Sequence, residues 1–239
     1  AKIPHAALPL AYVVKDVIDD LYITISADHL KSWVNETASL LASQHADKSA
    51  QLNEWNRRYK IEGQVLQKAE GLSGNALRQL KPDDKKAMMR QGLETLKAMA
   101  EHGFVHGDIK PDNLVFDPTK RQFAMIDFGG LTKQSKNDVS GEAMGKVLSD
   151  GYVVPSNHRQ QGSRSDRRYG QEADLYAFGV SMLELSLPAD AVVKLKAAGD
   201  KGDRDSLKQT LSDLRQNHGF APGTMEDLAI QLMELSVDQ

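Results

Sequence analysis

The sequence predicts an α+β fold, with β-strands near the start of the chain and helices dominating the rest. Two stretches rich in β-forming residues, Leu10–Lys15 and Leu21–Ile25, predict two strands, or one strand and an extended segment. Farther along, apolar residues recur with a helical period, first in a pattern that opens at Pro82 and closes at Gly103. Strands followed by a run of helices are typical of the α+β class.

Apolar spacing predicts the remaining elements. A helix with apolar residues at i, i+3, i+4 and i+7 follows a candidate cap at Asp28. A strand is expected at 64–71, and a hairpin of two apolar strands at 114–116 and 123–126. Three later helices are expected around 174–185, 207–214 and 228–235. The methionines of the helix after Pro82 are expected to fill the core.

Composition narrows the class of protein. At 239 residues the chain is long enough for one large domain or two small ones with a buried core. The net charge of −3 gives no strong attraction to nucleic acid or to an anionic membrane. No apolar run approaches the roughly 18 residues of a spanning helix, and the first residues lack a signal-peptide core. Cysteine is absent, which excludes disulfides and is typical of a reducing cytosol, so we expect a cytoplasmic protein.

The side chains that best indicate a reaction lie in two stretches, His106–Asn113 and Ile126–Gly130. Asp108 is placed to orient an acceptor hydroxyl and to take its proton. Lys110, two residues later, adds a positive charge that suits a transferring phosphate. Asn113 and Asp127 offer the hard oxygen ligands that suit magnesium bound to a nucleotide. A surface hairpin that merely carries two acids is the alternative interpretation.

These stretches resemble the catalytic loop, H-x-D-x-x-x-x-N, and the D-F-G loop of eukaryotic-type protein kinases. The resemblance implies a bilobal protein-kinase-like fold with a reduced small N-lobe at residues 1–70. A mainly helical C-lobe would occupy residues 71–239, with the helix after Pro82 as the family's helix αE. ATP and Mg²⁺ are the implied cofactors, and the hydroxyl of a protein substrate is the implied acceptor. Lys110 typifies the Ser/Thr kinases of the family, so Ser or Thr is the expected acceptor.

Five residues match positions that hold the nucleotide in this family. Val13-Val14-Lys15 resembles the V-A-I-K strand, whose lysine contacts the nucleotide phosphates. Glu36 matches the helix αC glutamate that pairs with that lysine. Leu66 would lie at the back of the adenine pocket, and Gln67 to Ala69 would present backbone groups to the adenine edge. Taken alone, Lys15 and Glu36 also fit a solvated strand-end lysine and a solvated helix acid.

Control is expected to be unusual. Many kinases carry an arginine before the catalytic aspartate, and a phosphate on the activation segment must neutralise it. Here that position is Gly107, while the polar segment 131–150 contains Ser135, Ser140 and Ser149. We therefore expect activity without segment phosphorylation, and control by an activating partner protein, by nucleotide access or by expression.

The end of the activation segment departs from the family pattern. Val154-Pro155-Ser156 stands in place of A-P-E, and the missing glutamate puts the anchoring of the segment in doubt. The basic run His158–Arg168 fits a solvated loop or a docking site for an acidic or phosphorylated substrate. Asp174 opens a helix similar to the family's helix αF, whose aspartate hydrogen-bonds the catalytic-loop backbone.

Two parts of the family pattern have no match in the sequence. These are the Gly-rich loop that precedes the lysine strand and the family's last helix. The chain is therefore either a piece of a longer protein or a reduced kinase similar to bacterial effectors, which would act in a host cytosol. Three functions remain open: a Ser/Thr protein kinase, a pseudokinase that only binds, and an aminoglycoside-type phosphotransferase. Lys110, Phe128-Gly129 and the segment Tyr152–Pro155 favour the first, as does the pattern from Asp174 to Gly179.

Overall fold

The structure, a computed structural model, describes residues 9–16, 21–26, 59–66, 69–128, 132–133, 149–155 and 170–238. These residues fall into two compact units. The smaller unit contains the strands before residue 67, and the larger contains all described residues from Ala69 onward. No helix in these ranges is both long and apolar enough to cross a membrane.

The described part of the smaller unit is an antiparallel sheet of β1 (Pro9–Asp16), β2 (Leu21–Ser26) and β3 (Tyr59–Leu66). The strand order is β2-β1-β3, with β1 in the centre. In this register Lys15 of β1 pairs with Tyr22 of β2 and with Lys60 of β3. The two strands expected near the start of the chain are therefore confirmed.

The strand expected at 64–71 is wrong in its bounds, because β3 begins at Tyr59 and ends at Leu66. Its length follows its partner: Asp16 pairs with Tyr59 at one end of β1, and Pro9 pairs with Leu66 at the other. Pairing therefore ends where β1 ends. The helix expected after Asp28, with Glu36, and residue Gln67 lie outside the described residues.

In the larger unit, short strands surround the sequence motifs. β4 (Leu72–Ser73), β6 (Leu114–Asp117) and β7 (Gln122–Met125) form one sheet in the order β4-β6-β7, and β5 (Phe104–Val105) pairs with β8 (Thr132–Lys133). β6 and β7 form the expected hairpin. Asp117 stabilises its turn, because Oδ1 accepts hydrogen bonds from the amides of Thr119 and Lys120 at 2.9 and 3.1 Å.

Helix α1 (Pro82–Glu101) supports this hairpin. It begins with a proline and two acids and ends before Gly103, as its sequence predicts. Its methionines Met88, Met89 and Met99 are buried in the core, which confirms their expected role. The buried Gln91 accepts a hydrogen bond from the Phe123 amide at 2.9 Å and donates one to the Arg121 carbonyl at 3.0 Å. Both ends of its side-chain amide thus hold the hairpin to α1.

Helix α2 (Gln171–Glu184) is the centre of the core and is buried on nearly every face. Two glycines allow its neighbours to approach. A Cβ on Gly92 of α1 would lie 2.2 Å from the ring of Phe178, and one on Gly179 would lie 2.8 Å from the Ala229 carbonyl. Larger residues at these positions would push the helices apart.

Three more helices complete the described part of the unit: α3 (Ala189–Asp200), α4 (Arg204–Asn217) and α5 (Met225–Asp238). The helices expected at 207–214 and 228–235 are confirmed as α4 and α5. Helix α2 begins three residues earlier than expected, so Asp174 lies in its first turn. Helix α3 was not expected from the sequence.

Candidate active site

The loop between β5 and β6 carries the sequence motif and is held by the first turn of α2. Asp174 accepts hydrogen bonds from the amides of His106 and Gly107, at 2.6 and 2.9 Å. This confirms the contact that the resemblance implies for the aspartate of the helix similar to αF. Asp174 is only 4% exposed, and burial raises the pKa of its carboxyl to about 7, against the two amides that lower it. Gly107 has a φ of 80°, which favours glycine at this position.

His106 connects this loop to the end of β7. Its Nε2 lies 3.0 Å from the Ile126 carbonyl, and its Nδ1 lies 3.3 Å from the Asp108 amide. Burial lowers the pKa of the imidazole, so the ring is neutral at pH 7. A neutral ring satisfies both contacts when Nε2 carries the proton and Nδ1 accepts. The side chain of His106 thereby joins Asp108 to Ile126, the residue before Asp127.

Asp108 is the centre of a compact polar cluster. Lys110 Nζ lies 2.8 Å from its Oδ2, and Asn113 Nδ2 donates to Oδ2 at 3.1 Å and to the Asp108 carbonyl at 2.8 Å. The side chains of Asp108 and Lys110 are 20% and 27% exposed, so the cluster remains accessible to a substrate. The structure therefore brings together three of the predicted site residues.

Asp127 follows β7 in a left-handed conformation, with a φ of 59°, and its residue is exposed. Its neighbour Ile126 donates a backbone hydrogen bond to the Asn113 carbonyl at 3.0 Å, so the two predicted metal ligands lie on adjacent chain segments. The described residues contain no cluster of three or more His, Cys, Asp or Glu that could hold a metal. A pair of oxygen donors with few protein ligands suits a magnesium ion that also takes oxygens from nucleotide phosphates.

Ser149 belongs to the same cluster, which sequence reasoning missed. Its Oγ donates to Asp108 Oδ1 at 2.9 Å and accepts from Lys110 Nζ at 3.0 Å. From the sequence, Ser149 is expected only as a candidate phosphorylation site of the polar segment. Nothing in the local pattern of the polar segment marks it as a partner of Asp108.

The chain after Ser149 is anchored to α2 and α3. The hydroxyl of Tyr152 donates to Glu184 Oε2 at 2.5 Å, and Lys196 Nζ lies 2.8 Å from both groups. Burial, and then the hydrogen bond to Glu184, raise the pKa of the Tyr152 hydroxyl, which keeps it a donor. The amide of Gly151 also donates to Asp200 at 2.9 Å. These contacts anchor residues 149–155 without a glutamate at position 156.

The five residues predicted to bind the nucleotide fall in both units of the structure or outside the described residues. Lys15 lies in β1 and Leu66 is the last residue of β3, both in the smaller unit. Ala69 is the first described residue of the larger unit and precedes β4. With Glu36 and Gln67 outside the described residues, the nucleotide-binding roles of all five stay predictions.

Comparison with known proteins identifies the family. Residues 24–233 match the model of the protein kinase domain. The chain belongs to the protein kinase family. The α+β fold expected from the sequence, with its small sheets and mostly helical remainder, is confirmed. The match includes the catalytic loop, Asp127 and Glu36 but begins after Lys15.

Several kinases are similar to part of this chain. Serine/threonine-protein kinase Kist of Mus musculus is 32% identical over 101 residues, which cover 40% of this chain and 23% of the mouse protein. Calcium/calmodulin-dependent protein kinase type 1 of Macrobrachium nipponense is 33% identical over 98 residues, or 41% of this chain and 26% of the relative. LysM domain receptor-like kinase 3 of Arabidopsis thaliana is 33% identical over 113 residues, which cover 46% of this chain and 16% of the relative. The chain thus spans about a quarter or less of the length of these relatives.

Proposed function

We propose that this chain is a Ser/Thr protein kinase that transfers the γ-phosphate of ATP to a protein hydroxyl. The cluster around Asp108 is the observation that supports this proposal. A carboxylate can accept about four hydrogen bonds. Lys110 and Asn113 contact Oδ2, and Ser149 contacts Oδ1. Oδ1 therefore keeps room for one more donor, which is what an acceptor hydroxyl requires.

In this proposal Asp108 orients the acceptor hydroxyl and takes its proton. Lys110, 2.8 Å from Asp108, places a positive charge beside the acceptor, where it can offset charge on the transferred group. Bound ATP would supply the phosphoryl group, and Mg²⁺ would neutralise its charge. Asn113 and Asp127 would hold the metal ion, because they offer oxygen ligands on adjacent segments.

We also propose that residues 1–70 form the small lobe and residues 71–239 the large lobe. Lys15 and Glu36 would then pair in the small lobe and contact the nucleotide phosphates, while Leu66, Gln67 and Ala69 would contact the adenine. Replacement of Lys15 by Ala should lower kcat/KM by orders of magnitude. Unchanged activity would point to Lys60, which pairs with Lys15 across the sheet, or to Lys68 as the lysine to replace next.

We propose further that phosphorylation of the activation segment is not required. Gly107, next to Asp108, carries no charge that a phosphate would need to neutralise. Its amide is already held by Asp174 at 2.9 Å. Ser149 contacts Asp108 and Lys110 directly, so its substitution would disturb the site whatever its phosphorylation state. The clean test is therefore Ser135→Ala with Ser140→Ala in phosphatase-treated protein, and loss of activity that acidic substitutions restore would contradict the proposal.

The decisive experiment is transfer of radiolabelled phosphate from ATP to a panel of generic protein substrates and to aminoglycosides. Asp108→Asn should abolish transfer and leave the far-UV circular dichroism unchanged. Asp112→Asn is the matched control, because Asp112 is an exposed acid of the same loop. Magnesium-dependent nucleotide binding without any transfer would instead favour a pseudokinase, and transfer to aminoglycosides alone would favour the small-molecule alternative. Label found mainly on tyrosine would contradict the Ser/Thr assignment.

We place this activity in a reducing cytosol, either that of the protein's own cell or that of a host cell. The absence of cysteine from the chain supports this location. An activating partner protein remains part of the proposal. A pull-down with the complete chain, followed by an activity assay with and without the captured protein, tests for it.

A further inference from the structure

A groove of about 390 Å³ lies between α1 and the start of α5, within the larger unit and away from the residues of the candidate active site. Its floor is formed by Met89, Leu93, Met225 and Leu228. Met89 and Met225 are buried at 2% and 3% exposure, so they fix the floor rigidly to the core. Leu228 remains 37% exposed. The groove therefore presents apolar surface to solvent on a firm base.

The apolar surface continues along α5. Leu235 lies seven residues after Leu228 and is 58% exposed, with the partly buried Leu232 between them. A spacing of seven residues places two side chains on one face of a helix, about 10 Å apart along its axis. An exposed apolar surface of this length is typical of an interaction site.

The rim of the groove on α1 is positively charged. Lys86, Arg90 and Lys97 line it, together with one acid, Glu94, which lies 2.9 Å from Arg90. Lys97 lies 3.9 Å from Glu101 of the same helix. Both pairs are exposed, so they contribute little and leave the cations open to carboxylates of a partner. Within the described part of the chain, Lys86 forms no salt bridge. Asp227, next to Leu228 in the sequence, does not line the groove: it is only 5% exposed and lies 3.2 Å from Arg215. The rim thus favours a negatively charged partner.

We propose that this groove docks a short amphipathic helix of a partner protein that carries leucine-like residues on one face and carboxylates beside them. Apolar side chains on one or two turns would fill the groove and cover Leu228 and Leu235, as in other helix-in-groove complexes. The carboxylates would lie over Lys86, Arg90 and Lys97. The exposed stripe along α5 favours a helix over a single inserted chain of a lipid, because the stripe extends the contact along the surface. The proposal does not rest on phosphoryl transfer.

The probe is a fluorescein-labelled helical peptide with leucines at i, i+3, i+4 and i+7 and glutamates at its other charged positions. Fluorescence anisotropy against the complete chain should show saturable binding that weakens as salt is added. A peptide with lysine in place of each glutamate, and one with alanine in place of each leucine, should bind at least about tenfold more weakly.

Leu228→Glu and Lys86→Glu should each weaken binding of the glutamate peptide by about tenfold or more. Val193→Glu and Lys194→Glu are the matched controls, because both residues are exposed on α3 outside the groove, and they should leave binding unchanged. Circular dichroism verifies that each variant is folded, and Lys86 is exposed, so its substitution tests the groove even if Leu228→Glu unfolds.

Several results would overturn the proposal. These are no binding of the glutamate peptide, equal binding of the lysine peptide, or equal losses in the control variants. Light scattering that shows a dimer abolished by Leu228→Glu would assign the groove to a second copy of the chain. Binding of phosphatidylserine vesicles that Leu228→Glu abolishes, with no binding of the glutamate peptide, would assign it to a membrane surface.

Discussion

Ser149 donates a hydrogen bond to Asp108 at 2.9 Å, although 41 residues separate them in the sequence. The same hydroxyl accepts from Lys110 at 3.0 Å. It therefore bridges the proposed proton acceptor and the proposed phosphate-binding cation, and it fixes the direction in which the free lone pair of Asp108 points. In this arrangement Ser149 is a positioning residue for Asp108 and Lys110.

Replacement of Ser149 by Ala should lower kcat by about fivefold to tenfold, since a hydrogen bond of this kind contributes about 1 kcal/mol. The KM for ATP should change little, because the bridge lies on the acceptor side of Asp108. Ser149→Thr keeps the hydroxyl and should restore most of the activity. Steady-state kinetics of the three proteins make the comparison, and a full kcat in Ser149→Ala would show that the bridge does not position Asp108.

Asp127→Ala should abolish the dependence of ATP binding on magnesium. Its carboxylate is proposed as the main metal ligand, and Asn113 alone offers only a neutral oxygen. Isothermal titration with ATP, in magnesium and in EDTA, measures the effect. Asp190→Ala, at an exposed acid on α3, is the control for loss of one negative charge. Equal magnesium dependence in Asp127→Ala and the parent protein would place the metal elsewhere.

Lys196→Met should loosen the segment that carries Ser149. Lys196 contacts both Tyr152 and Glu184 at 2.8 Å, with side-chain exposures of 24% and 19% for Lys196 and Glu184. Its loss leaves a half-buried carboxylate with a single donor, which should destabilise the protein by about 1–3 kcal/mol. Activity should fall as well, because Tyr152 follows Ser149 by three residues. Lys194→Met, an exposed lysine on the same helix, is the control in thermal unfolding and in kinetics, and identical results for the two variants would refute the anchor.

Sequence reasoning succeeded where partners are close along the chain. The hairpin β6–β7, helix α1 and the grouping of Asp108, Lys110 and Asn113 all depend on residues within a few positions of one another. The contact of Asp174 with the catalytic loop spans 68 residues to His106, and only the family resemblance made it predictable.

No local sequence pattern predicts the remaining contacts of the site. Ser149 reaches Asp108, and Tyr152 reaches Glu184 and Lys196, because the fold places α2 and α3 beside the segment. Tertiary packing therefore decides them. Helix α3 is different: buried Ala191, Val192, Leu195 and Ala198 do carry a helical spacing after Pro188, and this pattern could have revealed it. The bounds of β3 depend on pairing with a distant strand, which its own sequence does not encode.

Because Asp174 is buried, we predict a specific dependence of the free energy of unfolding on pH. Burial raises the pKa of its carboxyl to about 7 in the folded protein, from 3.8 in its unperturbed state. Between these values the folded state binds a proton that the unfolded state has released, so the free energy of unfolding falls as pH rises. The slope from this group is about 1.4 kcal/mol per pH unit. It disappears above pH 7, where both states are ionised, and below pH 3.8, where both are protonated.

Asp174→Asn isolates this contribution from other titrating groups, among them His106, whose lowered pKa acts with the opposite sign. Asparagine is neutral at every pH. It should destabilise the protein by about 1–3 kcal/mol near pH 7, because only its side-chain carbonyl oxygen, and not its NH2 group, can accept a hydrogen bond from the His106 and Gly107 amides. Urea unfolding of both proteins from pH 5 to pH 8 gives the difference in free energy. The advantage of the parent protein should be largest at pH 5 and should shrink toward pH 7, then stay constant. A difference that is the same at every pH would mean that Asp174 stays ionised and that its two amide hydrogen bonds outweigh the cost of burial.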